Sequence, residues 1–538
     1  MTRPFDPAQP YASRRSPVVA ENAVATSQPL ASLAGLEALR DGGNAVDAAL
    51  TAAITLTVVE PTGNGLGSDA FAILWDGERL VGLNASGRSP AAWTPVRFAG
   101  AEAMPVLGAD SVTVPGAVAA WVALHERYGK LPFERLFEPA IRYARDGYLV
   151  SPIIATLWQR SKDRLAAQPG FADAFLPGGR APFAGERFRL PDMARTLETI
   201  ARTRGEAFYR GELAERMVAW VQQHGGGLAM DDLAANRADW VQPLARTGFG
   251  CTLHQIPPNG QGIAAQIALG ILDRTELADL PVDSVPALHL QLEAMKLAFA
   301  DVEAYVADAA HMPFAPERLL DDAYLDARAR LIDRDRAAAP VRGVPTAGGT
   351  VCLAAADASG MMVSFIQSNY MGFGSGVVVP ETGISLQNRG AGFILEPGHP
   401  NEVGPNKRPF HTIIPGFLSD ADGNPAMAFG LMGGPMQAQG HLQMLLRTRV
   451  WGQNVQAASD APRWRLLGGR GVAVGRGVAM EPGLAPEVYA GLEAMGHEIV
   501  IEAPDAAFGF GGAQLIARLP EGYVAGSDSR KDGCALGF

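Results

Sequence analysis

The chain has 538 residues, of which 48% are hydrophobic and 19% are charged. This composition can bury a large core, and it excludes an intrinsically disordered chain. The formal net charge is −11, and no run of five or more lysines and arginines occurs, so we expect no nucleic acid and no membrane as partners.

The cysteines and the N-terminal residues bear on metal binding, disulfides and cellular location. Cys251, Cys352 and Cys534 lie far apart and form no metal-binding or redox spacing, so we expect no metal site and no dependence on disulfides. Residues 1–19 contain no apolar segment of a signal peptide, and no apolar run of eighteen residues occurs anywhere. We therefore expect a cytoplasmic protein.

The first half of the chain reads as helices, a loop and a hairpin. Residues 21–41 and 43–59 predict two helices, the second very apolar. The glycine-rich loop 60–69 follows a helix and precedes a strand, which is the reverse of the order in dinucleotide-binding folds, so we expect no cofactor there. Residues 70–75 and 80–84 predict a hairpin.

The middle of the chain is mainly helical and ends in an exposed segment. Residues 118–128, 133–146, 263–272 and 288–305 predict helices. Residues 321–346 are charged and then rich in proline, alanine and glycine, which is typical of an exposed segment open to cleavage.

Residues 348–376 are the most informative stretch. Residues 350–356 and 361–368 predict two short buried strands joined by a turn. The loop 369–376 that follows contains glycines, which let a ligand approach the backbone closely. A threonine that begins a strand after two glycines is usually only a strand residue, so the pattern alone does not make Thr350 functional.

The chain after Thr350 is richer in strands. The predicted strands cover residues 377–379, 384–387, 413–414, 427–429, 472–474, 497–502, 514–519 and 523–526, and the predicted helices cover residues 441–451 and 484–495. Helices between pairs of strands favour an α/β (α+β) sandwich of two sheets covered by helices on both outer faces.

Taken together, these motifs resemble the gamma-glutamyltranspeptidase family of N-terminal nucleophile hydrolases. Thr350, Asp357 and the loop 373–376 follow the family's spacing without a gap, and the resemblance extends from about residue 20 to the end of the chain. It implies a four-layer αββα sandwich and a precursor cut into a large subunit, 1–349, and a small subunit, 350–538. The two subunits would be each other's partners in one catalytic domain, and a dimer of this heterodimer is left open.

The resemblance makes Thr350 the nucleophile. A threonine hydroxyl needs a base within hydrogen-bond reach, and a terminal α-amino group, with a reference pKa of about 7.7–8.0, supplies one once the chain is cut. Gly348 and Gly349 lack a Cβ and can hold a strained turn that exposes the scissile carbonyl. The family also implies that Ser368 hydrogen-bonds the nucleophile, and that the backbone of Gly433 and Gly434 stabilises the oxyanion.

The residues expected to bind the substrate depart from the family pattern. At or near the positions where the family grips a γ-glutamyl group, this chain has Arg88, Asn369, Tyr370, Arg389, His411 and Thr412. Arg389 replaces an acceptor with a cation, which would repel an ammonium group and hold a carboxylate. A purely structural ion pair is the alternative role for Arg389.

We therefore expect a self-processing amidohydrolase that forms an acyl ester on Thr350 and passes it to water. Its substrate would be a small amide whose acyl group carries a carboxylate, as in an oxamate-like or glutaryl-like compound, and in this it resembles amidohydrolase and acylase members of the family. Two alternatives remain. One is a true γ-glutamyltransferase or glutathione hydrolase of glutathione metabolism, and the other is an unprocessed, non-enzymatic relative.

Overall fold

Two seven-stranded antiparallel sheets packed face to face form the centre of the protein. The computed structural model describes residues 14–338, 349–468, 475–504 and 509–538. One helical layer covers the outer face of each sheet. This arrangement is the predicted four-layer αββα sandwich.

The strands are short and are spread over the whole chain. In chain order they are β1 (Val18–Ala20), β2 (Ala23–Thr26), β3 (Asp69–Trp75), β4 (Leu80–Ala85), β5 (Tyr148–Leu149), β6 (Arg187–Phe188), β7 (Asp239–Val241), β8 (Leu244–Gly248), β9 (Cys251–Gln255), β10 (Gly349–Ala356), β11 (Met362–Tyr370), β12 (Val378–Val379), β13 (Ile384–Ser385), β14 (Pro415–Ser419), β15 (Pro425–Leu431), β16 (Trp464–Leu466), β17 (Gly477–Met480), β18 (Glu498–Ile501), β19 (Ala513–Arg518), β20 (Tyr523–Ser527) and β21 (Cys534–Gly537).

The helices fall mostly before residue 330, and short 3-10 turns connect several of them. In chain order they are α1 (Pro29–Arg40), α2 (Ala45–Val59), α3 (Ala117–Tyr128), α4 (Glu138–Asp146), α5 (Pro152–Leu165), α6 (Phe171–Phe175), α7 (Pro191–Thr203), α8 (Glu206–Arg210), α9 (Glu212–Gln223), α10 (Met230–Ala235), α11 (Ile263–Leu272), α12 (Val285–Tyr305), α13 (Asp322–Ala329), α14 (Met436–Leu445), α15 (Val455–Asp460) and α16 (Pro486–Ala494).

The order of strands in each sheet places β10 and β11 at the centre of the fold. The first sheet runs β21-β2-β10-β11-β3-β4-β7, and the second runs β1-β20-β19-β15-β14-β9-β8. Side chains alternate along β10, so that Cys352 and Ala354 face the second sheet while Val351 and Leu353 face the helices. This two-sided burial explains why the strand reads as a continuous apolar run.

Helix α2 packs directly on the first sheet, and all of its residues are buried. Asn44 caps its N-terminus, and Asp47 completes a capping box. The carboxylate of Asp357 also accepts a hydrogen bond of 2.7 Å from the backbone N–H of Ala45. Asp357, whose spacing from Thr350 suggested the family, therefore joins the β10–β11 turn to this helix.

The sequence-based predictions were wrong at two places. Residues 23–26, expected to be helical, form β2, because the long-range pairing of this segment with β10 and β21 outweighs its local pattern. Residues 413–414 lie outside a strand, and β14 begins one residue later. The strand expected at residues 472–474 falls outside the described residues.

The three cysteines are free, as expected for a protein that does not depend on disulfides. Across the ranges that the structure describes, no helix combines the length and the apolar character needed to cross a membrane. The cytoplasmic location stays a prediction.

Two leucines of the adjacent helices α1 and α2 provide a test of this packing. Leu56 is fully buried, whereas Leu33 is 40% exposed. Leu56→Ala should lower the free energy of unfolding by about 2–5 kcal/mol, because it leaves a cavity beneath the sheet. Leu33→Ala should change it by less than about 0.5 kcal/mol. Denaturant titration of both variants measures the difference, and equal losses would contradict the placement of α2.

Candidate active site

Thr350 lies at the start of β10, in a local irregularity of the β10–β11 pairing. Gly349 pairs with Tyr370 and Val351 pairs with Gln367, so β11 advances by one more residue than β10 between the two pairs. Such bulges re-aim side chains and occur next to active sites. The hydroxyl of Thr350 lies 3.2 Å from that of Ser368, and Thr350 is only 4% exposed.

Ser368 joins Thr350 to a buried cation. Its hydroxyl accepts a hydrogen bond of 2.7 Å from the backbone N–H of Tyr370 and a longer one of 3.4 Å from Nη2 of Arg389. Tyr370 has a positive φ of 77°, an unfavourable conformation for a non-glycine residue. The turn at the end of β11 thus fixes the Ser368 hydroxyl between the candidate nucleophile and the guanidinium.

Arg389 is completely buried and opens a 3-10 turn, Arg389–Gly392. Its Nη1 donates a 3.0 Å hydrogen bond to the hydroxyl of Thr412, and its guanidinium lies 4.1 Å above the ring of Tyr370. Its Nε has no hydrogen-bond partner among the described residues. Burial lowers the pKa of Arg389 to about 10, and the nearby charge of Asp69 opposes that shift, so Arg389 is a cation at neutral pH.

A buried Asp–His pair lies beside this cation. The ring Nε2 of His411 is 3.1 Å from Oδ2 of Asp69, and Oδ1 of Asp69 accepts a 3.0 Å hydrogen bond from the backbone N–H of Gly87. Burial and the neighbouring charges of Arg389 and Arg408 hold the pKa of His411 well below its usual range, so the ring is neutral.

Asn369 has a structural set of contacts. Its side-chain oxygen accepts a 2.8 Å hydrogen bond from the hydroxyl of Ser68, and its amide nitrogen donates to the hydroxyl of Ser385 at 3.3 Å. The side chain therefore ties β11 to the glycine-rich loop before β3 and to β13. Binding a ligand through this amide would require one of these bonds to break.

Gly433 and Gly434 lie just before α14 with φ values of 114° and 62°, conformations that favour glycine. Within the described parts of the chain, neither backbone N–H donates a hydrogen bond. The carbonyl of Gly434 is held by Nε2 of Gln261 at 2.9 Å. Two unpaired N–H groups at the start of a helix can stabilise an oxyanion, because the helix dipole also favours negative charge there.

Arg88 lies outside the group of contacts around Thr350. Its guanidinium forms a 2.9 Å ion pair with Asp308 and is 43% exposed. It lines a cavity of about 240 Å³ with Asp239, Asn406 and Arg408, among others. Over the described residues, no hydrogen bond joins Arg88 to Thr350, Ser368 or Arg389. The structure thus brings together Thr350, Ser368, Tyr370, Arg389 and Thr412, but not Arg88.

Sequence reasoning missed Gln437 and Asp69. The side chain of Gln437, in the first turn of α14, donates to the Thr350 hydroxyl at 3.5 Å and accepts from the backbone N–H of Ile414 at 3.0 Å. Both residues are polar and fully buried, and Asp69 begins the otherwise apolar strand β3. The contrast between Asp69 and the rest of β3 is the signal that could have identified it, since buried polar groups are costly unless they are paired.

Ser368→Ala tests the contact with Thr350. Loss of one neutral hydrogen bond, worth about 0.5–1.5 kcal/mol, should lower kcat/KM for amide hydrolysis by up to about tenfold. Ser364→Ala is the matched control, because Ser364 lies four residues earlier on β11 and its hydroxyl donates to the carbonyl of Phe429 between the sheets. It should lower stability and leave kcat/KM unchanged. Equal loss of activity in both variants would mean that Ser368 acts only through folding.

Comparison with known proteins identifies the family. The family model for gamma-glutamyltranspeptidase matches residues 31–538. The chain is 38% identical over 517 residues to the oxamate amidohydrolase proenzyme of Klebsiella pneumoniae, covering 95% of this chain and 97% of that protein. It is 35% identical over 528 residues to the glutathione hydrolase-like YwrD proenzyme of Bacillus subtilis, and the match covers 97% of this chain and 100% of that protein.

A solved structure agrees with these relatives. The cephalosporin acylase from Bacillus halodurans is 46% identical, superposes with a TM-score of 0.94, and covers 100% of this chain and 99% of its own. The family match and this likeness together account for nearly the whole chain. The chain belongs to the gamma-glutamyltranspeptidase family and is the proenzyme of an N-terminal nucleophile amidohydrolase.

Proposed function

We propose that the precursor cuts itself between Gly349 and Thr350 and then hydrolyses a small amide whose acyl group carries a carboxylate. The observation that carries this proposal is the completely buried Arg389, linked to Thr350 through the single hydroxyl of Ser368. The large subunit would be residues 1–349 and the small subunit residues 350–538.

The cut would both create the catalytic base and open the site. Attack of the Thr350 hydroxyl on the carbonyl of Gly349 moves the acyl group from nitrogen to oxygen, which forms an ester and frees the α-amino group. Water then hydrolyses the ester, which releases the carboxyl group of Gly349 and restores the Thr350 hydroxyl. In the uncut chain Gly349 pairs with Tyr370, whose ring stacks on Arg389. Departure of Gly349 would therefore clear the space beside this ring for a substrate.

In the processed enzyme, the Thr350 hydroxyl would attack the amide carbonyl while its own α-amino group takes the proton. The unpaired N–H groups of Gly433 and Gly434 would stabilise the oxyanion, and one such donor is typically worth about 2.7–4 kcal/mol. Collapse of the intermediate expels the amine and leaves an acyl ester on Thr350. Water activated by the same α-amino group then releases the acid.

Arg389 would select the acyl group. Its unpartnered Nε and weakly bonded Nη2 form one edge of the guanidinium, which matches a carboxylate in a bidentate arrangement. A γ-glutamyl group would bring an ammonium close to this cation, at a cost in binding. For this reason we favour an amidohydrolase over a γ-glutamyltransferase or an enzyme of glutathione metabolism.

The short distance between Thr350 and Arg389 favours a short acyl group. The nucleophilic oxygen and Nη2 are no farther apart than the 3.2 Å and 3.4 Å contacts of Ser368 laid end to end. In an oxamyl group a single C–C bond of about 1.5 Å separates the carboxylate from the reacting carbonyl. An extended glutaryl chain would have to fold back to make both contacts, so we favour oxamate-like substrates over glutaryl-like ones.

Processing has a direct test. A denaturing gel of the purified protein should show two pieces, and N-terminal sequencing of the smaller should begin Thr350-Val351-Cys352. Thr350→Ala should remain a single full-length band because the attacking hydroxyl is gone. Thr382→Ala, which removes another buried threonine hydroxyl, should still be processed. A smaller piece that starts at another residue would overturn the proposed subunit boundary.

Substrate choice is tested with amides that differ in charge and length. Oxamate, succinamate and glutaramate should be hydrolysed in that order of preference, and butanamide poorly. Arg389→Met should lower kcat/KM for the carboxylate-bearing amides by at least about tenfold and leave butanamide hydrolysis unchanged, since a charge-assisted hydrogen bond is worth about 1.5–3 kcal/mol. Preference for γ-glutamyl anilide over glutaryl anilide would instead favour the transferase.

A further inference from the structure

We propose that Asp69 takes up a proton when the carboxylate of a substrate binds Arg389, so that the negative charge of the substrate replaces the negative charge of Asp69. This inference rests on the proposed function, because it requires the substrate's carboxylate to be held by Arg389. It assigns to Asp69 the role of a positioning residue that sets the pH range of substrate binding.

The position of Asp69 follows from the sheet. It is the first residue of β3 and lies opposite Ser368 of β11 in the pairing register, so it begins the strand beside the nucleophile's hydroxyl partner. Its side chain is fully buried. Asp69 and Arg389 influence each other's charge without a hydrogen bond between them. The carboxylate therefore neutralises Arg389 at a distance and does not occupy the guanidinium's Nε–Nη2 edge, where the long contact from Nη2 to Ser368 is the hydrogen bond that a ligand would meet.

The hydrogen bonds of Asp69 leave room for a proton. The backbone N–H of Ile413 donates to Nδ1 of His411 at 3.3 Å, so the ring proton is on Nε2 and is donated to Oδ2 of Asp69. Oδ1 accepts from the N–H of Gly87. The backbone N–H of Gly116 also interacts with this carboxylate. Each carboxylate oxygen has two lone pairs, four in all, so Asp69 can bind a proton without losing any of these three partners.

The charges around Asp69 determine whether a proton is needed when a carboxylate binds. Arg408 is the other cation near it, and this residue already pairs with Asp239 at 2.6 Å. His411 is neutral, and burial raises the pKa of Tyr209, so its hydroxyl is neutral as well. Arg389 and an ionised Asp69 therefore balance each other. A buried substrate carboxylate would leave one uncompensated negative charge unless Asp69 accepts a proton, and uncompensated buried charge is strongly unfavourable.

Burial already brings Asp69 close to protonation at neutral pH. It raises the pKa of the Asp69 carboxyl to about 7, while Arg389 and the N–H of Gly87 oppose the shift. Below this value Asp69 is protonated before the ligand arrives, so affinity should not depend on pH. Above it, each ligand must bring a proton with it, and affinity should fall by up to about tenfold per pH unit, the slope for uptake of one proton.

Inhibition by monocarboxylates measures this slope. Propanoate and hexanoate carry the carboxylate but no amide, and both are fully ionised between pH 6 and 9. Their inhibition constants against the processed enzyme should be flat from pH 6 to 7 and rise about tenfold per unit above it. In Asp69→Asn, which is neutral at every pH, they should stay low and flat. A flat profile in the unmodified enzyme overturns the proposal.

Two controls assign the proton to Asp69. The α-amino group of Thr350 would also titrate in this range, but it is retained in Asp69→Asn, so a slope that persists in this variant assigns the proton to the amine and overturns the proposal. Glu60 is another buried carboxyl whose pKa burial raises to about 7, and it is hydrogen-bonded to Ser27 rather than facing Arg389. Glu60→Gln should keep the slope, and loss of the slope in this variant also tells against Asp69.

Infrared difference spectra give a readout that does not depend on a variant folding. Binding of propanoate at pH 8 should produce the carbonyl band of a protonated carboxylic acid, which protonation of an amine cannot produce. Absence of the band overturns the proposal. Failure of both monocarboxylates to inhibit, or inhibition that survives Arg389→Met, would instead overturn carboxylate recognition by Arg389, and with it the proposed function.

Discussion

The contact between the hydroxyls of Thr350 and Ser368 connects the geometry of the sheet to the chemistry of the site. It exists because β11 carries one extra residue opposite the start of β10, which turns both hydroxyls toward each other. The same Ser368 is fixed by the N–H of Tyr370, whose left-handed backbone ends the strand. A change in the register of these two central strands would therefore displace the candidate nucleophile, its partner and the Arg389 guanidinium together.

The burial of Arg389 has a cost that its protein partners offset only in part. A guanidinium removed from water needs compensating partners, and here it has one threonine hydroxyl, one weak serine contact, a tyrosine ring and the distant charge of Asp69. A residue held for stability alone would be expected to have a closer carboxylate partner, as Arg463 has in Asp528. The incomplete pairing of Arg389 is a form of preorganisation, in which the folded protein has already met the cost of desolvating the cation.

Local sequence patterns could predict those parts of this structure that depend on nearby residues. The apolar runs of β10, β11 and α2 and the spacing from Thr350 to Asp357 belong to this class. Strand β2 could not be predicted, because its four residues become a strand only through partners more than three hundred positions away. Asp69 and Gln437 were missed for the same reason. The sequence position of Arg88 lies near that of a substrate-binding residue of the family, but its side chain forms an ion pair with Asp308. Spacing along the sequence does not show the direction of a side chain.

The first sheet has a consequence for the two pieces that a cut before Thr350 would produce. Strands β10 and β11 would belong to the small piece, yet they lie between β2 and β3 of the large one, and β21 returns to pair with the far edge of β2. Strands of the two pieces would therefore alternate within one hydrogen-bonded sheet. Neither piece could dissociate without breaking this sheet, so dilution would not separate them. If the two pieces were synthesised separately, each would lack the neighbouring strands that it pairs with.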